Sequence, residues 1–79
     1  MFKFFLLIFI SLNLFSDMVY DAYVEANKGN YQKAAKIYQK SCDTNDTRGC
    51  FNLALMYDSA QGVKKDTNKS RGLYKKSDI

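Results

Sequence analysis

Tyr31-Gln32-Lys33-Ala34-Ala35-Lys36-Ile37-Tyr38-Gln39-Lys40-Ser41-Cys42, then Asp43-Thr44-Asn45-Asp46, then Thr47-Arg48-Gly49-Cys50-Phe51-Asn52-Leu53-Ala54-Leu55-Met56-Tyr57 is the stretch on which the fold turns. Tyr31, Ala34, Ala35, Tyr38 and Cys42 recur at the spacing of one helix face, with Ile37 and Ser41 alongside. Cys50, Leu53, Ala54 and Tyr57 form a second stripe, widened by Phe51 and Met56. Between them, Asp43 to Asp46 is turn and N-cap chemistry. The pattern predicts two amphipathic helices joined by a tight turn, the second running over about 47–60.

The cysteines lie on both predicted inward stripes, one near the end of the first helix and one near the start of the second. Their Cys-x7-Cys spacing crosses the turn. A bridge there would tie the helices together and is worth roughly 2–3 kcal/mol on chain entropy. A redox pair, which favours Cys-x-x-Cys, and two buried free thiols are the alternatives.

Working outward, Val19, Ala22, Tyr23 and Ala26 predict an earlier helix, capped by Asp17 and stopped by Gly29-Asn30. Downstream, Gln61 to Lys65 reads as a loop. Asp66 or Thr67 starts a last helix through about Ser77, with Leu73 and Tyr74 as its apolar pair. Gly72 weakens it by roughly 1 kcal/mol relative to Ala. Residues 33–41 align with residues 69–77 at an offset of 36. Lys33/Lys69, Ile37/Leu73, Tyr38/Tyr74, Lys40/Lys76 and Ser41/Ser77 correspond. A helix-pair period of this size marks an α-solenoid.

The first sixteen residues are of another kind. Lys3 is a short basic start, Phe4 to Ile10 is an unbroken apolar run, and Ser16 is small. That order predicts a secretory signal over 1–16, cleaved after Ser16. The run is too short for a transmembrane helix, which needs about 20 apolar residues. What remains, 17–79, is one helical-repeat domain. It divides into a leading helix at 17–28, one full repeat at 29–64 and a partial second repeat at 65–79. An exported chain, periplasmic or secreted, suits an oxidised cysteine pair.

Composition excludes several functions. The chain of 79 residues has no His, no Pro and no Trp. Without His it lacks the usual neutral-pH proton shuttle, and two Cys cannot make a four-thiolate zinc site. No metal or other cofactor is expected. The mature part carries eleven basic and eight acidic residues. They are interspersed, although Lys28, Lys33, Lys36 and Lys40 fall near one helical side. Without interleaved exposed aromatics this is a solvated face rather than a nucleic-acid footprint.

Gly29-Asn30-Tyr31-x-x-Ala34-x-x-x-Tyr38-x-Lys40-Ser41-Cys42-Asp43, Gly49-Cys50-Phe51-Asn52-Leu53-Ala54-x-Met56-Tyr57 and Gln61-Gly62-Val63-x-x-Asp66 together resemble a Sel-one-like repeat of the Helicobacter cysteine-rich protein family. The resemblance covers 29–78. It implies an all-α fold, a short α-solenoid of antiparallel helix pairs of tetratricopeptide-like kind. On that pattern Cys42 and Cys50 form the intra-repeat bridge. Tyr31, Ala34, Tyr38, Leu53, Ala54, Tyr57, Leu73 and Tyr74 are packing positions. Gly62 and Asp66 belong to the loop into the next repeat. The chain departs from the pattern in carrying one complete repeat, in Asp78 at the slot of the next Cys, and in Ala54 where Gly is usual.

The resemblance implies binding of a protein or cell-envelope partner on a concave face. It also implies a β-lactamase-like label, with β-lactam binding and weak hydrolysis as the alternative function. The residues give hydrolysis little support. A serine β-lactamase commonly uses Ser-x-x-Lys. None of Ser11, Ser16, Ser41, Ser59, Ser70 and Ser77 has Lys three positions on. No catalytic residue is assigned.

Two further expectations follow. Asn45 and Asn68 both sit in Asn-x-Ser/Thr, which makes them candidate glycosylation sites beside an ordinary reading as turn and cap residues. Leu73 and Tyr74, exposed at the edge of the unfinished second repeat, would favour self-association.

Overall fold

A computed structural model describes residues 18–77. The expected signal segment, the Asp17 cap and Asp78 lie outside these residues. Four helices follow one another: α1 Met18–Asn27, α2 Tyr31–Asp43, α3 Thr47–Ser59 and α4 Thr67–Ser77. No strand occurs among the described residues. Each helix packs on the next in sequence, α1 on α2, α2 on α3 and α3 on α4. The result is a short all-helical stack of the kind a repeat solenoid makes.

Three helices end in the same way. Gly29, Asn45 and Ala60 adopt left-handed backbone, with φ of 87°, 68° and 55°. The next amide N–H then reaches back five residues: Asn30 to the Glu25 carbonyl, Asp46 to that of Ser41, and Gln61 to that of Met56, at 2.9, 3.1 and 3.0 Å. This closes the last turn and satisfies carbonyls that the helix leaves open. Gly and Asn adopt the conformation readily. Ala60 does not, and nothing in its side chain announces the stop.

The starts are capped by carboxylates. Asp46 Oδ1 accepts from the Arg48 N–H at 3.1 Å, and Asp66 Oδ1 accepts from the Lys69 N–H at 3.0 Å. The Arg48 guanidinium also pairs with Asp46, Nη2 to Oδ2 at 2.7 Å. That side-chain hydrogen bond, against an opposing effect of partial burial, holds the Asp46 carboxyl below its usual range. A depressed folded-state pKa stabilises the protein above the unfolded value of about 4, and the effect is lost as pH falls through the folded value. Asp46→Ala should therefore cost about 1 kcal/mol at neutral pH, the typical worth of a cap. The gap from wild type should narrow below about pH 4. Urea titrations of both chains at pH 7 and pH 3 check it; equal gaps at both would refute the charge contribution.

The core is built from small residues. Ala22, Ala34 and Ala54 are fully buried, and Leu53 is the largest fully buried side chain. Cys42, Cys50, Tyr38, Met56 and Leu73 complete the cluster, with Val19, Ile37, Tyr57, Val63 and Tyr74 packed against it. At Gly49 the start of α3 lies close against the end of α2. A methyl group there would lie 2.9 Å from the Cys42 amide nitrogen and 2.5 Å from Ser41 Oγ. Only a glycine lets α3 start this near the end of α2.

Four expectations from the stripes need correction. Tyr31, read as a packing position, is 38% exposed, Tyr23 is 56% exposed and Phe51 48%. Alanines at the closest approach leave no depth for large rings beside them, so these rings stand at the flanks. Leu73 and Tyr74, in contrast, are not a bare edge. Leu73 is buried, and Tyr74 is half-buried with its ring edge-on to Phe51 at 5.6 Å. The motive for self-association through that pair is removed, because α3 already covers it.

Candidate functional site

Cys42 and Cys50 are joined in a disulfide, with Cα atoms 4.5 Å apart. It links the last turn of α2 to the first turn of α3, and both sulfurs are shielded from solvent. Neither the redox pair nor the free thiols of the sequence reading describe this site. Among the described residues it is a buried staple.

The described serines are engaged elsewhere. Ser59 Oγ donates to the Leu55 carbonyl, Ser70 Oγ to that of Thr67, and Ser77 Oγ to that of Tyr74. Ser41 Oγ is fully buried against Gly49 and has no hydrogen-bond partner. None of them is hydrogen-bonded to a base. No group of three or more His, Cys, Asp or Glu able to hold a metal occurs among the described residues. No helix among them is long and apolar enough to cross a membrane.

Two carboxylates, Glu25 and Asp46, carry the ion pairs among the described residues. Glu25 accepts from the Asn30 side-chain amide at 2.9 Å and lies 3.6 Å from Lys33 and 3.9 Å from Lys28. The Asn30 hydrogen bond chiefly, and then the two lysines, outweigh desolvation and lower its pKa. Burial pushes the Tyr38 phenol up, with Tyr23 adding to the effect. These are structural perturbations, and no two of the shifted groups form an acid–base pair for catalysis.

Besides a hollow of about 550 Å³ lined by Gly29 to Lys33 and Gly62, two surfaces are open. The first centres on Phe51. A hollow of about 340 Å³ is lined by Val19 of α1, by Thr47, Arg48, Phe51 and Asn52 of α3, and by Ser77 of α4. A second, of about 370 Å³, shares Phe51 and Ser77 and adds Tyr74 and Lys75. Tyr23 is one turn on from Val19, and Leu55 one turn on from Phe51. Tyr20, Tyr23, Phe51 and Leu55 are four of the five large apolar side chains exposed among the described residues. All four belong to α1 and α3. Tyr20 and Leu55 were not singled out from sequence; the available signal was a large apolar residue lying off the buried stripe.

The second surface is a cleft of about 280 Å³ between α2 and α3. Buried Ala35 and Leu53 form its floor, with half-buried Val63 and Tyr57 beside them. Gln32, Lys36 and Gln39 of α2 and Gly62 of the α3–α4 loop complete the lining. The sequence reading gave Leu53 and Tyr57 packing roles only and did not select Gln32 or Gln39.

The candidate glycosylation sites differ. Asn45 is exposed in the α2–α3 turn and its partner Thr47 is exposed. Asn68 is exposed in the first turn of α4, but Ser70 is buried with its hydroxyl bound to the Thr67 carbonyl.

Comparison with known proteins finds relatives over part of the chain. The protein named "Putative beta-lactamase HcpC" from Helicobacter pylori strain J99 is 46% identical over 40 residues, 51% of this chain and 14% of that protein. HcpE from the same strain is 40% identical over 38 residues, 48% of this chain and 11% of that protein. Cytochrome c oxidase assembly factor 7A of Xenopus laevis is 37% identical over 54 residues, 67% of this chain and 23% of that protein. The chain thus spans about one-seventh of HcpC and less than a quarter of the assembly factor. No family model and no solved structure matches it. Taken with the all-helical, disulfide-stapled structure, the partial matches to HcpC and HcpE support the resemblance read from Cys42, Cys50 and the residues around them.

Proposed function

We propose that this chain is an exported, non-catalytic binding module whose docking face is the α1–α3 surface centred on Phe51. The observation that carries the reading is Phe51 itself. Its ring is half exposed, lines two adjoining hollows, and is braced edge-on by Tyr74. A large aromatic at the surface, with Val19 of α1 beside it in one hollow, exposed Leu55 one turn on, and exposed Tyr23 one turn on from Val19, is the composition of a protein-binding patch. The disulfide suits an oxidising compartment, where the partner would be another envelope or secreted protein.

A photo-crosslinking phenylalanine placed at position 51 of the exported chain tests this. It should give one discrete protein adduct in the cell envelope, and Tyr23→Ser should reduce that adduct several-fold. The same probe at exposed Lys76 should give none. A smear at both positions, or no adduct at 51, overturns the reading.

The second reading, β-lactam hydrolysis, is favoured by the names of HcpC and HcpE. The serines bound to backbone carbonyls, and the buried Ser41, offer it no activated nucleophile. Hydrolysis of a chromogenic cephalosporin by the oxidised chain should stay at the buffer rate. Turnover lost on reduction would replace the binding module with an enzyme.

A further inference from the structure

We infer that the α2–α3 cleft is a second, separate binding site, for an acidic peptide segment in extended conformation. Three features point to it. The cleft is cationic without compensation. No carboxylate lines it, and Lys36 makes no ion pair among the described residues. Lys69 Nζ lies 4.7 Å from the centre of the Tyr57 ring, which is one of the lining side chains. Of the carboxylates around it, Asp43 accepts from the Gln39 amide at 3.0 Å and Asp66 accepts from the Lys69 N–H at 3.0 Å, while Asp58, next to Tyr57 in sequence, is exposed.

The second feature is spacing. Gln32, Lys36 and Gln39 lie at i, i+4 and i+7 on α2, so they share one face. Gln32 and Gln39 are about 10.5 Å apart along the helix axis. An extended chain rises about 3.3 Å per residue, so roughly three residues would span the two amides. With its NH2 group given to Asp43, Gln39 keeps a carbonyl oxygen that can accept from a peptide N–H. The Gln32 amide has no side-chain partner among the described residues and can donate to or accept from the same strand.

The third feature is the floor. Ala35, Leu53 and Val63 present an apolar surface beneath the amides. An alternating peptide would place an apolar side chain there and a carboxylate on Lys36. Such a ligand uses each group the cleft offers.

The test uses the oxidised chain and a fluorescein-labelled hexapeptide of alternating Leu and Glu, followed by fluorescence polarisation. Saturable binding is expected, weakening as salt rises. Lys36→Glu, at an exposed position, should reduce affinity by about tenfold or more, the scale of one charge-assisted hydrogen bond. A Leu-Lys peptide should not bind wild type and should bind Lys36→Glu. Tyr23→Ser, on the Phe51 face, should leave the affinity unchanged, so this site and the α1–α3 face fail independently. Circular dichroism confirms that each variant is folded. Absence of binding at millimolar peptide, insensitivity to Lys36→Glu, or loss caused by Tyr23→Ser instead would each overturn the assignment.

Discussion

Removing the Cys42–Cys50 bridge, by reduction or as the double substitution Cys42→Ala with Cys50→Ala, is expected to lower stability by about 2–4 kcal/mol. The bridge closes a loop of eight residues' separation. Chain entropy alone assigns such a loop a little under 3 kcal/mol. Both sulfurs are buried in the core, so the alanine pair also loses packed volume. A domain of this size has a total stability of only about 3–9 kcal/mol. The loss is therefore a large share of the whole.

The measurement is urea unfolding followed by circular dichroism, with and without reductant. With a slope near 1 kcal/mol per molar urea, the midpoint should fall by about 2–4 M. The reduced chain should fray first at the α2–α3 turn, which hydrogen exchange at Asn45 and Asp46 would register. Midpoints that coincide would mean that Gly49 and the turn hold the hairpin without the bridge.

Gly62→Ala is expected to cost about 2–5 kcal/mol, from two separate causes. Gly62 has φ of 71°, where a Cβ is penalised by about 1–2 kcal/mol. The added methyl would also lie 2.5 Å from the Tyr31 carbonyl oxygen and 2.7 Å from the Gln32 amide nitrogen. Those are backbone atoms of the first turn of α2, which cannot yield as a flexible side chain would. Overpacking of this kind adds about 1–3 kcal/mol.

Gly72→Ala supplies the control. Nothing lies within 4 Å of a methyl there, and the residue sits inside α4. Helix propensity then predicts a gain of about 0.5–1 kcal/mol. Two substitutions of the same chemistry should thus move the urea midpoint in opposite directions. If both stabilise, the Gly62 contact with α2 does not hold in solution. In that case the cleft that Gly62 borders is looser than described.

Much of the architecture follows from sequence alone, because its determinants are local. Alternation at i, i+3 and i+4 places the four helices to within a residue or two of their ends. Gly29 and the Asp43-to-Asp46 cluster mark two of the three stops through their own backbone preferences. The third was placed to within a residue by the Gln61-to-Lys65 loop, although the Ala60 side chain does not announce its left-handed backbone. The cysteine spacing pointed to a bridge because two facing helix ends must bring those positions together.

Tertiary packing decided the rest. A helix stripe says which side of a helix faces inward, and not how close the neighbour comes. Gly49 lets α3 start against the end of α2, alanines are the fully buried residues of α1, α2 and α3 that pair with Leu53 in the core, and the rings of Tyr23, Tyr31 and Phe51 are left partly outside. The packing of α4 on α3 covers Leu73 and Tyr74, and the cleft under Lys36 stays open. Periodicity is a property of one helix. Exposure, and with it the surface available for binding, is a property of the distance between two.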